Sequence, residues 1–96
     1  MHVSLEKEAG SEVRRKCLDL AGDDAELMFM DNFDVAIVGI GEVCGNPPVV
    51  VYDRQLVLDT LTIDLGSPEQ AQEYYDFNIA GAFMGSGMPV LLTRLA

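Results

Sequence analysis

Two kinds of signal predict a small α+β domain: helix-capping residues placed before amphipathic stretches, and two short apolar runs that lie beside prolines, the first of them β-branched. We expect three to four short helices and a small two-stranded sheet. A chain of 96 residues is the size of one domain, and its composition, 49% apolar and 23% charged, is that of a folded rather than a disordered protein.

The N-terminal segment, residues 1–30, contains one predicted helix near residues 12–21. Ser11 is a suitable N-cap, and apolar residues that include Cys17 recur on one side of the helix that follows. The pattern leaves open whether the rest of this segment is ordered. We therefore expect the compact α+β domain to span residues 31–96.

The segment 31–44 admits two interpretations. Residues 35–41 look locally like a strand entering a glycine turn, and the glycines resemble a variant dinucleotide-binding fingerprint. That fingerprint requires a helix starting at the glycines, where this chain instead has two consecutive prolines. We therefore predict a helix over residues 32–44 with Asp31 as its N-cap. Its apolar residues recur at helical spacing: Phe33, Ala36, Ile37, Ile40, Val43 and Cys44.

Two strands are predicted, over residues 49–52 and 89–92. The first run is three valines and a tyrosine between Pro48 and Asp53, and the second begins with a proline after a glycine-rich turn. Short β-branched runs bounded by turn residues are typical of strands. We expect the two strands to lie side by side in one small sheet.

Two helices are predicted between these strands, over residues 54–63 and 67–83. Asp53 can cap the first of them. Ser67 can cap the second, which has Pro68 at its first position and a glutamine that would complete a capping box.

The side chains most suited to contact a ligand or partner cluster at the end of the first strand and on the last helix. Asn78 lies near the middle of the apolar face of that helix, where an unpaired amide costs about 1–3 kcal/mol. We therefore expect Asn78 to bond the backbone of a neighbouring element or to contact a ligand. The candidate contacts are Tyr52, Asp53, Glu73, Asp76, Asn78 and Gly81.

Catalytic and metal-binding patterns are missing from the sequence. The only histidine is His2, and Cys17 and Cys44 form neither a CxxC motif nor a Cys/His cluster. No glycine-rich phosphate loop with a lysine is present. We therefore predict a protein that is not an enzyme, binds no metal or cofactor, and carries two free thiols.

Charge is the strongest compositional feature. Sixteen acids and six bases give a net charge of −10, and no Lys or Arg occurs in residues 18–52 or 55–93. Such a surface repels nucleic-acid phosphates and attracts basic partners, although the acids could also act only to keep the protein soluble. The sequence has no apolar run long enough to span a bilayer and no leader pattern, so we expect a cytoplasmic protein.

Several segments between residues 31 and 92 resemble a family of small proteins encoded by tailed phages and prophages. The similar segments are 33–39, 48–54, 69–78, 81–85 and 88–90. The sequence departs from the family pattern at Leu58, near where a cysteine is common, and in its long N-terminal segment. No activity is established for the family, so the resemblance implies a phage origin and a host-cytoplasm setting without a mechanism.

These observations favour a non-enzymatic interaction module that binds a basic surface of a host or phage protein, with mimicry of nucleic-acid charge as one form of that function. A second hypothesis is a small-ligand-binding module with a site near Tyr52, Asp53 and Asn78. A third is a virion or assembly component that associates with copies of itself.

Overall fold

The structure is a computed structural model that describes residues 5–6, 11–22, 25–80 and 87–95. Three helices and five strands are described in these ranges. In chain order they are β1 (Leu5–Glu6), α1 (Glu12–Ala21), β2 (Phe29–Met30), β3 (Ile37–Gly41), β4 (Val49–Asp53), α2 (Arg54–Leu65), α3 (Pro68–Tyr75) and β5 (Val90–Leu92). The predicted α+β class is confirmed.

The main sheet has three strands in the order β3-β4-β5. The two predicted strands, β4 and β5, do pair, and they run parallel with Val51 opposite Val90. Because parallel neighbours need a crossover connection, α2 and α3 occupy the chain between them. The third strand, β3, pairs antiparallel with β4. A separate short ladder joins β1 to β2.

The predicted helix over residues 32–44 is wrong. Asp34–Ala36 form a single 3₁₀ turn, and β3 follows directly, as the local strand interpretation of this segment had it. The 3₁₀ turn explains part of the helical pattern, because Phe33 and Ala36, three residues apart, are both buried. A bulge between Ile37 and Gly39 interrupts the alternation that would have marked the strand. The glycines lead to an antiparallel strand rather than a helix, so they form no dinucleotide fingerprint.

The predicted caps are confirmed at all three helices. Ser11 Oγ accepts a hydrogen bond from Arg14 N, Asp53 Oδ1 from Leu56 N, and Ser67 Oγ from Gln70 N. The α-helix observed in the segment predicted as a helix over residues 67–83 is shorter than predicted. It ends as α3 at Tyr75 and continues as a π turn, Asp76–Ala80. The rest of that prediction lies outside the described residues.

One hydrophobic core joins the N-terminal elements to the sheet and to the α2–α3 hairpin. It includes Cys17 of α1, Phe29 of β2 and Tyr52 of β4. The core face of β4 is formed by Val50 and Tyr52, which are fully buried. Within the described ranges, no helix combines the length and apolar character needed to cross a membrane.

Candidate functional site

The outer side of α3 and its π turn carries the candidate site. Ala71, Tyr75 and Ile79 recur every four residues and are buried, which fixes the opposite side of the helix towards solvent. The exposed residues of that side include three acids, an aromatic ring and an amide. They are Glu69, Glu73, Asp76, Phe77 and Asn78.

An open groove with a volume of about 420 Å³ runs along this side, beside the end of α2. Its lining combines apolar, aromatic and polar side chains, and its most exposed large side chain is Phe77, at 79% exposure. The lining residues are Leu65, Gln70, Glu73, Tyr74, Phe77 and Asn78. The groove therefore offers a surface for both apolar and hydrogen-bonding contacts.

The polar groups of the groove are bonded locally or lack a partner. Asn78 Nδ2 donates to Tyr74 O, one turn earlier in the same chain segment, at 3.2 Å. The prediction that Asn78 lies on the apolar face and bonds a neighbouring element is therefore wrong, because the side chain is exposed. The Tyr74 hydroxyl oxygen is buried and has no hydrogen-bond partner among the described residues. Burial raises the pKa of this hydroxyl.

The charge on this side of the molecule is negative throughout. Glu69, Glu73 and Asp76 are exposed, and no ion pair within the described part of the chain involves any of them. Asp76 accepts a hydrogen bond from Gln72 Nε2 at 2.9 Å, which leaves its charge uncompensated. The three carboxylates follow one another at spacings of four and three residues, so they lie in a row on one helix face.

A second, smaller cavity of about 250 Å³ lies where β4 and β5 end and α2 begins. Asp53 lines it, caps α2 through Oδ1 and pairs through Oδ2 with Arg94 Nε. The hydrogen bond from Leu56 N, aided by Arg94, lowers the pKa of Asp53. Arg54 also lines the cavity and lies over the Tyr75 ring, 5.0 Å from its centre. Each of these charged groups therefore already has a partner within the chain, and Asp53 serves to cap α2.

A buried polar cluster around Arg14 was not predicted. Arg14 Nε donates to both carboxylate oxygens of Asp34, at 2.8 and 3.0 Å, and Ser11 Oγ donates to the same carboxylate at 2.6 Å. The guanidinium also lies 5.0 Å from the centre of the Phe29 ring. The available signal was helical spacing, because Arg14 lies one turn before the predicted core residue Cys17. The cluster joins α1 to the start of the 3₁₀ turn.

Tyr52 belongs to the core and not to a surface site. Its hydroxyl accepts a hydrogen bond from Met30 N at 2.7 Å, and burial raises its pKa to about 12. Cys17 is also buried, and burial raises its thiol pKa, which keeps it protonated and unreactive. Cys44, in contrast, is exposed.

The structure thus brings only some of the candidate residues together. Glu73 and Asn78 line the groove, and Asp76 is exposed on the same helical segment. Asp53 lies at the second cavity, and Gly81 falls outside the described residues. In the ranges that the structure describes, no three His, Cys, Asp or Glu side chains group closely enough to hold a metal ion.

Comparisons of the chain with models of protein families, with curated proteins and with solved structures give no match.

Proposed function

We propose that this protein is a non-enzymatic interaction module that uses the acidic side of α3 to bind a basic surface of a partner protein. The observation that carries the proposal is the row of exposed carboxylates, Glu69, Glu73 and Asp76, beside an open groove in a chain segment without Lys or Arg. Charge complementarity of this kind speeds association and discriminates between partners.

The resemblance to phage proteins supports a partner in the host cytoplasm, either a host protein or another phage protein. A basic surface that normally holds nucleic acid is one form of partner that such a carboxylate row could fit, since each carboxylate would replace a phosphate. This form of the function predicts that DNA competes with the protein for the partner.

The small-ligand hypothesis has less support. Tyr52 is enclosed in the core with its hydroxyl bonded, Asp53 is committed to capping α2, and Asn78 is exposed on the groove. A ligand would therefore have to use Asn78 without the other two. Self-association as a virion or assembly component has no specific contact in its favour, and it predicts a concentration-dependent mass in solution.

The proposal is tested by affinity purification from host lysate across a series of salt concentrations, with two triple variants of equal charge. In the first, Glu69→Gln, Glu73→Gln and Asp76→Asn remove the row. In the control, Glu12→Gln, Asp19→Asn and Glu42→Gln remove three exposed acids elsewhere, and Glu12 and Glu69 both lie in a first helical turn. Each triple changes the net charge from −10 to −7.

We expect one basic protein to co-purify in stoichiometric amount and to stay bound at roughly physiological salt. The control triple should still bind this protein, and the α3 triple should not. Equal loss with both triples would mean that total charge, and not this surface, is responsible. A bound protein that neither triple weakens would contradict the proposal.

A further inference from the structure

The exposed ring of Phe77 distinguishes the groove from the rest of the acidic surface. Single exposed apolar side chains are common and need no explanation. Phe77, however, lines the groove together with Leu65 and Tyr74, so its ring adds to the apolar part of the lining. By contrast Ile63, 82% exposed on α2, does not line the groove.

Phe77 lies in the π turn that follows α3. The backbone N–H of Asp76 bonds the carbonyls of both Gln72 and Glu73, where the α-helical pattern gives way to i→i+5 bonding. In this turn Ile79 is buried and Phe77, two residues earlier, is exposed. Single π turns inside helices are frequent at functional sites.

Acidic side chains accompany this apolar surface. Glu73 lines the groove itself, and Glu69 and Asp76 lie one turn before and one turn after it on the helix. Apolar contacts surrounded by polar and charged groups are the usual anatomy of a protein interface. The sign of the charge also defines the partner, because basic side chains compensate the three carboxylates.

We infer that the groove binds a short basic segment of a partner protein and takes one large apolar side chain of that segment against Leu65, Tyr74 and Phe77, while the flanking Lys or Arg residues face Glu69, Glu73 and Asp76. This inference rests on the proposed function and adds its specificity: charge attracts the partner, and the apolar side chain selects the segment. Burial of one large apolar side chain of the partner in the groove corresponds to about a 10- to 100-fold gain in affinity.

Two synthetic peptides test the inference. Both are 12-residue peptides of lysine and alanine with the same charge; one has a central tryptophan and the other an alanine at that position. The protein contains no tryptophan, so the fluorescence of the peptide reports burial of its indole without background. Affinities for both peptides are measured by calorimetry at fixed salt, against wild type, Phe77→Ala, the control Ile63→Ala and the α3 charge triple. Circular dichroism checks that each variant is folded.

We expect the tryptophan peptide to bind wild type at least about 10-fold more tightly than the alanine peptide, with a blue-shifted emission. Phe77→Ala should remove this preference, and Ile63→Ala should retain it. Equal affinities of wild type for both peptides, lost in the charge triple, would overturn the inference and leave the proposed function standing. Binding of neither peptide would overturn the inference, and the lysate experiment would then decide the proposed function separately. Affinities for both peptides that the charge triple leaves unchanged would overturn the basic character of the partner.

Discussion

The buried ion pair between Arg14 and Asp34 gives the sharpest test of how this fold is stabilised. We consider three variants: Arg14→Met, Asp34→Ala and the two combined. The Arg14 side chain is 5% exposed and the Asp34 side chain 26%, and the closest contact, Nε to Oδ1, is 2.8 Å. Removing Asp34 takes away the carboxylate that Arg14 Nε bonds, and removing Arg14 takes away the donor to both oxygens of Asp34. The combined variant removes both groups.

The magnitude follows from this geometry. Two unit charges about 4 Å apart interact by about 4 kcal/mol at an effective dielectric constant near 20. The exposed part of Asp34 is screened by water, so we expect a coupling energy of about 2–3 kcal/mol. Asp34→Ala should lower the free energy of unfolding by about 3 kcal/mol, because it leaves a guanidinium buried. Arg14→Met should cost about 2 kcal/mol, because the carboxylate keeps some water and its bond from Ser11.

The assay is urea unfolding followed by far-ultraviolet circular dichroism, analysed as a double-mutant cycle. The exposed pair Glu12–Lys16 is the control. Its atoms are 3.9 Å apart and its side chains are 81% and 72% exposed, so its coupling should stay below about 0.5 kcal/mol. If the combined Arg14 and Asp34 variant loses the sum of the two single losses to within about 0.5 kcal/mol, the ion pair does not stabilise the fold as argued.

Three further predictions concern the main sheet and the start of α2. In urea unfolding, Gly41→Ala should be at least about 1 kcal/mol less stable than Gly39→Ala. A Cβ at Gly41 would lie 2.9 Å from Val51 Cγ2, whereas a Cβ at Gly39 would meet open space. Equal stability of the two variants would contradict this packing. In an alkaline titration followed by tyrosine absorbance, Tyr52 should ionise last, near its pKa of about 12. Its raised pKa should lower the stability by about 2 kcal/mol between pH 10 and 12, because the unfolded chain ionises first. Tyr52→Phe should remove the last ionisation and this part of the loss, and only the smaller loss due to the raised pKa values of Tyr74 and Tyr75 should stay. The lowered pKa of Asp53 should stabilise the fold above the ordinary carboxyl range, and this stabilisation should be lost as pH falls through the folded-state pKa. Asp53→Asn, which keeps a cap, should therefore make the melting temperature fall less steeply towards acid pH. An unchanged acid dependence of the melting temperature would contradict this role of Asp53.

Local chemistry was readable from the sequence wherever a single residue decides the structure. Ser11, Asp53 and Ser67 each lie before an amphipathic stretch, and each caps a helix. The strand over residues 37–41 was missed because the bulge between Ile37 and Gly39 hides the alternation, and because its pairing with β4 does not show in the spacing of its own residues. Pairing with β4 outweighs the helical spacing, which two glycines already made costly.

Only part of the candidate site could be predicted from the sequence, because local patterns do not show how segments pack. Glu73 and Asp76 were predicted from charge, which does not depend on packing. Asn78 was placed on the wrong face because wheel geometry assumes an unbroken α-helix, and the π turn changes the helical phase after Tyr75. Arg14 has no local signal of burial beyond its spacing, since a buried arginine depends on an aspartate twenty residues away.

The parallel pairing of β4 with β5 has a consequence for synthesis of the chain. During synthesis β4 leaves the ribosome well before β5, so the edge of β4 that will pair with β5 is at first unpaired. The β3–β4 hairpin and the α2–α3 hairpin, whose contacts are more local, can already form at this stage. A β-branched run with one open edge is a template for pairing with another nascent chain. Pro48 before the run and Asp53 after it are the residue types that interrupt such pairing. We therefore expect Asp53, which caps α2 and ends β4, also to disfavour pairing of β4 with other nascent chains until β5 pairs with it.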